Sequence, residues 1–100
     1  MKSIPFNLQG ILWSAQVNKL DLRRDKVYII HQVLAYGAWE HLLWLFRTYS
    51  KAEVVKVFLG FPSKDYIPAS LNFIKNILLG LKNVTLDETK YLKTAPRSIG

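Results

Sequence analysis

No cysteine occurs in this chain of 100 residues, and only seven residues are acidic. Without thiols there is no disulfide framework and no thiolate ligand or nucleophile, so a domain this small must rest on its hydrophobic core. The same absence fits a reducing compartment, and the first ten residues lack the apolar stretch and small-residue cleavage site of a secretory signal, so a cytoplasmic location is expected. The five glycines, at 10, 37, 60, 80 and 100, are isolated from one another, which leaves no glycine-rich phosphate loop. His31 and His41 are the only histidines. They lack the four-residue spacing that sets two imidazoles on one metal ion. No Gly-x-Ser-x-Gly turn is present for a serine nucleophile. Asp87-Glu88, the one adjacent pair of acids, is accounted for as favourable charge at a helix start. The chain is therefore not expected to be an enzyme, nor to hold a metal, a cofactor or a small-molecule substrate.

Apolar side chains, by contrast, are plentiful. Half of the residues are hydrophobic, including three Trp, five Tyr and five Phe, enough apolar surface to offset the ordering entropy that keeps polar chains unfolded. They concentrate in residues 28–49, a nearly unbroken apolar and aromatic run cut once by Gly37. A lone glycine between two helical patterns predicts two helices meeting at a corner, the second apolar on almost every face and so buried. The run does not read as a membrane span. His31, Gln32, Gly37, Glu40 and His41 interrupt it, and a carboxylate at the bilayer centre costs about 2.5–3.5 kcal/mol on an insertion scale.

The pattern predicts an all-α fold: a compact single-domain bundle of five or six short helices around a buried central helix. The domain is expected over residues 1–93, with 94–100 as a flexible tail. A first helix is expected over 5–13, with Ile4, Leu8, Ile11 and Leu12 inward. Asp21 is the candidate N-cap of a second over 22–36, with Val27, Ile30, Val33 and Leu34 as its core stripe and Arg24, Tyr28, His31 and Ala35 opposite. This helix should stop at Gly37 in the left-handed conformation. A third, over 38–49, should bury Trp39, Leu42, Leu43 and Phe46. Ser50-Lys51-Ala52-Glu53 has the capping-box form and favours helix for the β-branched residues that follow, although a strand is also compatible with them. Pro68 suits the first turn of a fifth helix. Leu71, Ile74, Ile77 and Leu78 should face inward, with Gly80 as terminator. Thr85-Leu86-Asp87-Glu88 repeats the capping-box pattern before a short sixth helix ending at Leu92.

Fourteen Lys and Arg give a net charge of +7. A field of that sign speeds encounter with acidic partners, whether nucleic acid or protein. On the nucleic-acid reading, residues 50–59 and 68–79 form a helix-turn-helix-like pair that could bind DNA, with Arg23, Arg24, Lys26, Asn72, Lys75 and Asn76 as phosphate or base readers. On the protein-binding reading, exposed aromatic residues carry the contact.

Leu12-Trp13, Leu20-Asp21, Ile29-Ile30, Val33-Leu34, Gly37, Glu40, Trp44-Leu45, Tyr49 and Leu71-Asn72-Phe73 form an ordered set over residues 11–73. It resembles a family of small bacterial and archaeal helical proteins known as a domain of unknown function. Members are often encoded beside a nucleotidyltransferase of the AbiEii toxin type. The resemblance implies an antitoxin-like module whose partner is that toxin, with Trp13, Tyr28, Trp39, Glu40 and Trp44 as candidate contacts. Trp13 and Trp44 read first as anchors closing a small core, ahead of a role as binding contacts. The chain departs from the family pattern at Ser14, His31-Gln32, Ala38 and Ile74, where charged or aromatic residues are usual. The apolar framework survives these changes, whereas charges that could select a partner are lost.

Overall fold

The computed structural model of the chain describes residues 8–12 and 19–92. Within them lie four helices: α1 (Lys26–Tyr36), α2 (Trp39–Thr48), α3 (Lys51–Gly60) and α4 (Pro68–Asn72), the last running on as a π-helix over Phe73–Leu78. Among the described residues there is no strand; Tyr66 and Leu92 form an isolated bridge. The fold is thus all-α. Of the expected first helix, residues 8–12 are described and form a turn closed by the Ile11 and Leu12 N–H groups donating to the Leu8 carbonyl, not an α-helix, although Leu8, Ile11 and Leu12 are buried as anticipated. Its other residues lie outside the described set. The expected sixth helix is reduced to a 3-10 turn, Glu88–Lys90. Asp87 caps this turn by accepting the Thr89 N–H, in place of Thr85. Residues 94–100 lie outside the described set. No helix of the described residues is long and apolar enough to cross a membrane.

α1 is the most enclosed of the four. Ile29, Ile30, His31, Gln32, Val33 and Leu34 are all buried, because α2 and α3 both pack against this helix. The expectation that the helix after Gly37 would be the buried one is corrected here, as is the placing of His31 on an outward face. Each polar group in this core has a partner. Gln32 donates to the Ile11 carbonyl at 2.8 Å, tying residues 8–12 to α1. His31 bonds through both ring nitrogens, to Tyr66 and to the Phe61 carbonyl. Before α1, Asp21 caps the turn 22–25 rather than the helix proper. Its Oδ1 accepts the N–H groups of Arg23 and Arg24 at 2.8 Å, and Asp25 answers by accepting the N–H of Asp21.

Gly37 ends α1, but with φ −76° and ψ 151°, an extended rather than left-handed backbone. The positive φ occurs at Gly80, +66°, just past the end of the π segment. At Ser50 the capping box forms as its residues predict: Ser50 Oγ accepts the Glu53 N–H and the Glu53 carboxylate accepts the Ser50 N–H. With its start fixed in this way, the β-branched run becomes α3, which buries Val54, Val57 and Phe58 at helical spacing.

α4 begins at Pro68 as expected and then departs from the α-helical period. Leu79 N–H reaches back five residues to the Ile74 carbonyl, the signature of a π turn. One extra residue per turn moves the inward direction, so Leu71 and Ile74 are followed in the core by Leu79, not Ile77. Ile77 is 67% exposed. Replacing it with serine is expected to change the unfolding free energy by no more than about 0.5 kcal/mol in a denaturant titration. A loss of about 2 kcal/mol or more would mean that Ile77 packs inside after all.

Candidate functional site

α2 begins with the Ala38 N–H donating to His41 Nδ1 at 2.9 Å, and Glu40 sits in its first turn, where a carboxylate complements the helix dipole. Its rotation about its axis is set by Leu42, Leu45 and Tyr49, which are buried. The Tyr49 hydroxyl locks this orientation by donating to the Leu22 carbonyl. Burial also raises the Tyr49 pKa, to about 12. This rotation turns Trp39 and Leu43 outward: Trp39 is 62% exposed and Leu43 41%. The expectation that both are core residues is thereby corrected, and so is the omission of Leu45, which is fully buried. Glu40, His41, Arg47 and Thr48 give α2 a polar side, and Trp39 and Leu43 lie at its margin, where spacing alone leaves them open to either water or core. The neighbours decide it.

At 100° per residue, Trp39, Leu43, Arg47 and Glu40 occupy one face of α2, and all four are exposed. Of the other partner-binding candidates, Tyr28 and Trp44 are half-buried and pack against the core, so they support the fold more than they present a surface. Trp13 lies outside the described residues.

Five of the six nucleic-acid candidates line one of two clefts, and Arg24 lines neither. Arg23 and Lys26 line one of about 230 Å³ with Leu22, Thr48, Tyr49 and Glu53. There Lys26 pairs with Glu53 at 3.8 Å. Arg24 is held by Asp25 at 2.8 Å and by the Lys19 carbonyl, and this pairing lowers the Asp25 pKa. Asn72, Lys75 and Asn76 come together in a second cleft of about 330 Å³ with Pro68, Leu71 and Glu88. Glu88 was not among the residues singled out for a site, because Thr85 to Glu88 reads as a cap. Nothing in the local pattern indicates that the turn would bring it opposite α4. No group of three or more His, Asp or Glu side chains among the described residues is arranged to hold a metal ion.

Comparison with known proteins places the chain beside a family of unknown function, DUF6922, whose model matches residues 8–58. α1, α2 and α3 up to Phe58 fall within the match, and α4 with its cleft falls outside, so the expected extension of the resemblance to Phe73 is not part of it. No curated protein and no solved structure matches the chain.

Proposed function

The chain belongs to this family of unknown function, and on that premise we propose that it is a protein-binding module acting through the exposed face of α2. The observation that carries the reading is the outward Trp39 with Leu43 one turn on. Tryptophan and arginine are enriched among residues that dominate binding energy, particularly where neighbouring contacts exclude water. Trp39, Leu43 and Arg47 supply the anchors, and Glu40 gives the face a fixed polarity. The net charge of +7 favours an acidic partner. A nucleotidyltransferase-type toxin, whose metal- and nucleotide-binding cleft is acidic, is the partner that the sequence resemblance implies. Covering that cleft with about 800 Å² of this domain would exclude substrate.

The test is co-expression with a nucleotidyltransferase encoded beside this chain's gene. The two should copurify. Trp39→Ala should weaken the complex about tenfold or more while leaving the unfolding midpoint nearly unchanged, since the side chain is exposed. A co-expressed neighbour that fails to bind, or a complex indifferent to Trp39, would sink the reading. The second reading, a helix-turn-helix-like DNA module built on α3 and α4, has less support. The connection 61–67 exceeds the three- or four-residue turn of that motif.

A further inference from the structure

The cleft beside α4 has a donor and acceptor pattern that its own hydrogen bonds determine. Lys75 Nζ approaches Asn76 Oδ1 at 3.1 Å and the Lys82 carbonyl at 3.5 Å. An ammonium only donates, so the Asn76 atom facing it is the oxygen. The Asn76 amide nitrogen then donates to Asn72 Oδ1, which leaves the Asn72 NH₂ group uncommitted in this chain of bonds. The α4 wall therefore offers donors: the Asn72 amide and the remaining N–H of Lys75. Across the cleft Glu88 offers only acceptors. Lys75 and Glu88 line the same space, and neither takes part in the ion pairs Arg24–Asp25 and Lys26–Glu53. Pro68 and Leu71 supply an apolar floor. The volume, about 330 Å³, falls in the range of small-molecule sites, and π turns recur at functional positions.

A ligand matching this cleft needs acceptors for the Asn72 and Lys75 donors, donors for the Glu88 carboxylate, and no net charge of its own. We propose that the α4 cleft binds a guanine base. N7 and O6 of guanine would accept from Lys75 and Asn72, as lysine and guanine pair elsewhere, and the N1–H and N2–H₂ donors would meet the Glu88 carboxylate. Adenine places an acceptor, N1, where guanine has a donor and would face the carboxylate unfavourably. Cytosine and uracil carry donors and acceptors side by side on one edge. This proposal goes beyond the protein-docking reading and concerns a different part of the molecule.

The experiment titrates the full chain with GMP, AMP, CMP and UMP, followed by NMR shifts of the Asn72 and Asn76 side-chain amides. GMP should bind saturably with a preference of at least about tenfold over the others. Glu88→Gln replaces one acceptor oxygen with a donor, and should lower GMP affinity by at least about tenfold and narrow the gap to AMP. Asn72→Ala should also weaken GMP binding, and an unchanged thermal midpoint confirms that both variants are folded. Equal affinity for all four nucleotides, no saturation with GMP, or a guanine preference untouched by Glu88→Gln would overturn the proposal. A second arm compares GMP with a short single-stranded oligomer of guanine. Tighter, salt-sensitive binding of the oligomer that still depends on Glu88 assigns the base to a strand. Equal affinity per base assigns it to a free nucleotide. Oligomer binding indifferent to Glu88 counts against the site.

Discussion

Gly37→Ala is expected to cost about 3 kcal/mol of stability, at the upper end of the range for overpacking, and to do so without any change of backbone hand. A Cβ at this position would lie 2.6 Å from the Val33 carbonyl oxygen, 3.0 Å from His41 Cβ and 3.2 Å from Val33 Cγ1. The nearest of these is backbone, and that carbonyl is engaged by the Gly37 N–H at 2.8 Å, so it cannot retreat without breaking the last bond of α1. The close approach is what allows α2 to start after only two intervening residues, Gly37 and Ala38, and pack back on α1. Gly60→Ala provides the contrast. It ends α3, no atom lies within 4 Å of its added Cβ, and its φ is not positive. Alanine there should stabilise by about 0.4–1 kcal/mol, through a lower unfolded-state entropy. Denaturant midpoints of the two variants should move in opposite directions. A neutral Gly37→Ala would show that the corner between α1 and α2 is looser than these distances require.

A loss of about 2–4 kcal/mol is the expected result of His31→Leu, since the buried Tyr66 hydroxyl and the part-buried Phe61 carbonyl lose their partner and an unsatisfied buried group costs about 1–3 kcal/mol. His31 is 1% exposed. Its Nε2 lies 2.7 Å from the Phe61 carbonyl oxygen and its Nδ1 2.8 Å from the Tyr66 hydroxyl. A carbonyl only accepts, so Nε2 carries the hydrogen. Nδ1 must then accept from Tyr66, a neutral tautomer fixed by its neighbours. The bonds join α1 to the connection 61–67, and the Tyr66 and Tyr91 rings continue the cluster around Phe58. Tyr91 closes it by donating to the Phe58 carbonyl at 2.6 Å.

The same geometry gives the pH dependence a definite sign. Burial lowers the His31 pKa below 6.5, while the bond to Phe61 and the nearby charge of Asp65 oppose that shift without reversing it. The other titratable groups facing this cluster are Tyr66, Tyr91 and Tyr36; burial raises the pKa of Tyr66, so its hydroxyl keeps its proton. Below about pH 6.5 the unfolded chain therefore binds a proton at this histidine that the folded chain resists. Stability contributed by neutral His31 is complete above that pH. It falls as pH drops through the interval down to the folded-state pKa, and levels off below it. Urea midpoints measured at steps from about pH 7.5 to 5 should fall for the parent chain. His31→Leu should be lower throughout and flatter across that interval. Parallel slopes would show that His31 titrates as it does in the unfolded chain.

Local chemistry was legible in the sequence wherever a short pattern determines a short-range interaction. Ser50 and Glu53 make the box that their spacing predicts, Pro68 opens α4, and Asp21 caps a turn. The core stripe of α1 was legible as well, through Ile30, Val33 and Leu34. What failed was rotation and register. α2 has a polar side in Glu40, His41, Arg47 and Thr48, but Trp39 and Leu43 border it, and reading the helix as apolar almost all round puts them in the core in place of Leu45. Along α4 the count is correct up to Ile74; the π turn then leaves Ile77 in water and brings Leu79 into the core, with Leu78 packed against it as expected. His31 looks polar and outward from its own helix; only Tyr66 and the Phe61 carbonyl, thirty or more residues away, make burial affordable. The α4 cleft shows the same limit. Asn72, Lys75 and Asn76 share a helix face that spacing reveals, but their opposite wall is Glu88, which comes from a different element.

By itself, then, the sequence determined that this chain is helical, where α3 and α4 begin, and that α1 stops at Gly37. Caps, proline and apolar spacing act within a turn or two and need no distant partner. Tertiary structure alone decided which side of α2 faces water, which residue follows Ile74 into the core, and what satisfies His31. Each of those outcomes depends on packing energy and hydrogen bonds between segments far apart in the chain, and such terms leave no mark on local spacing.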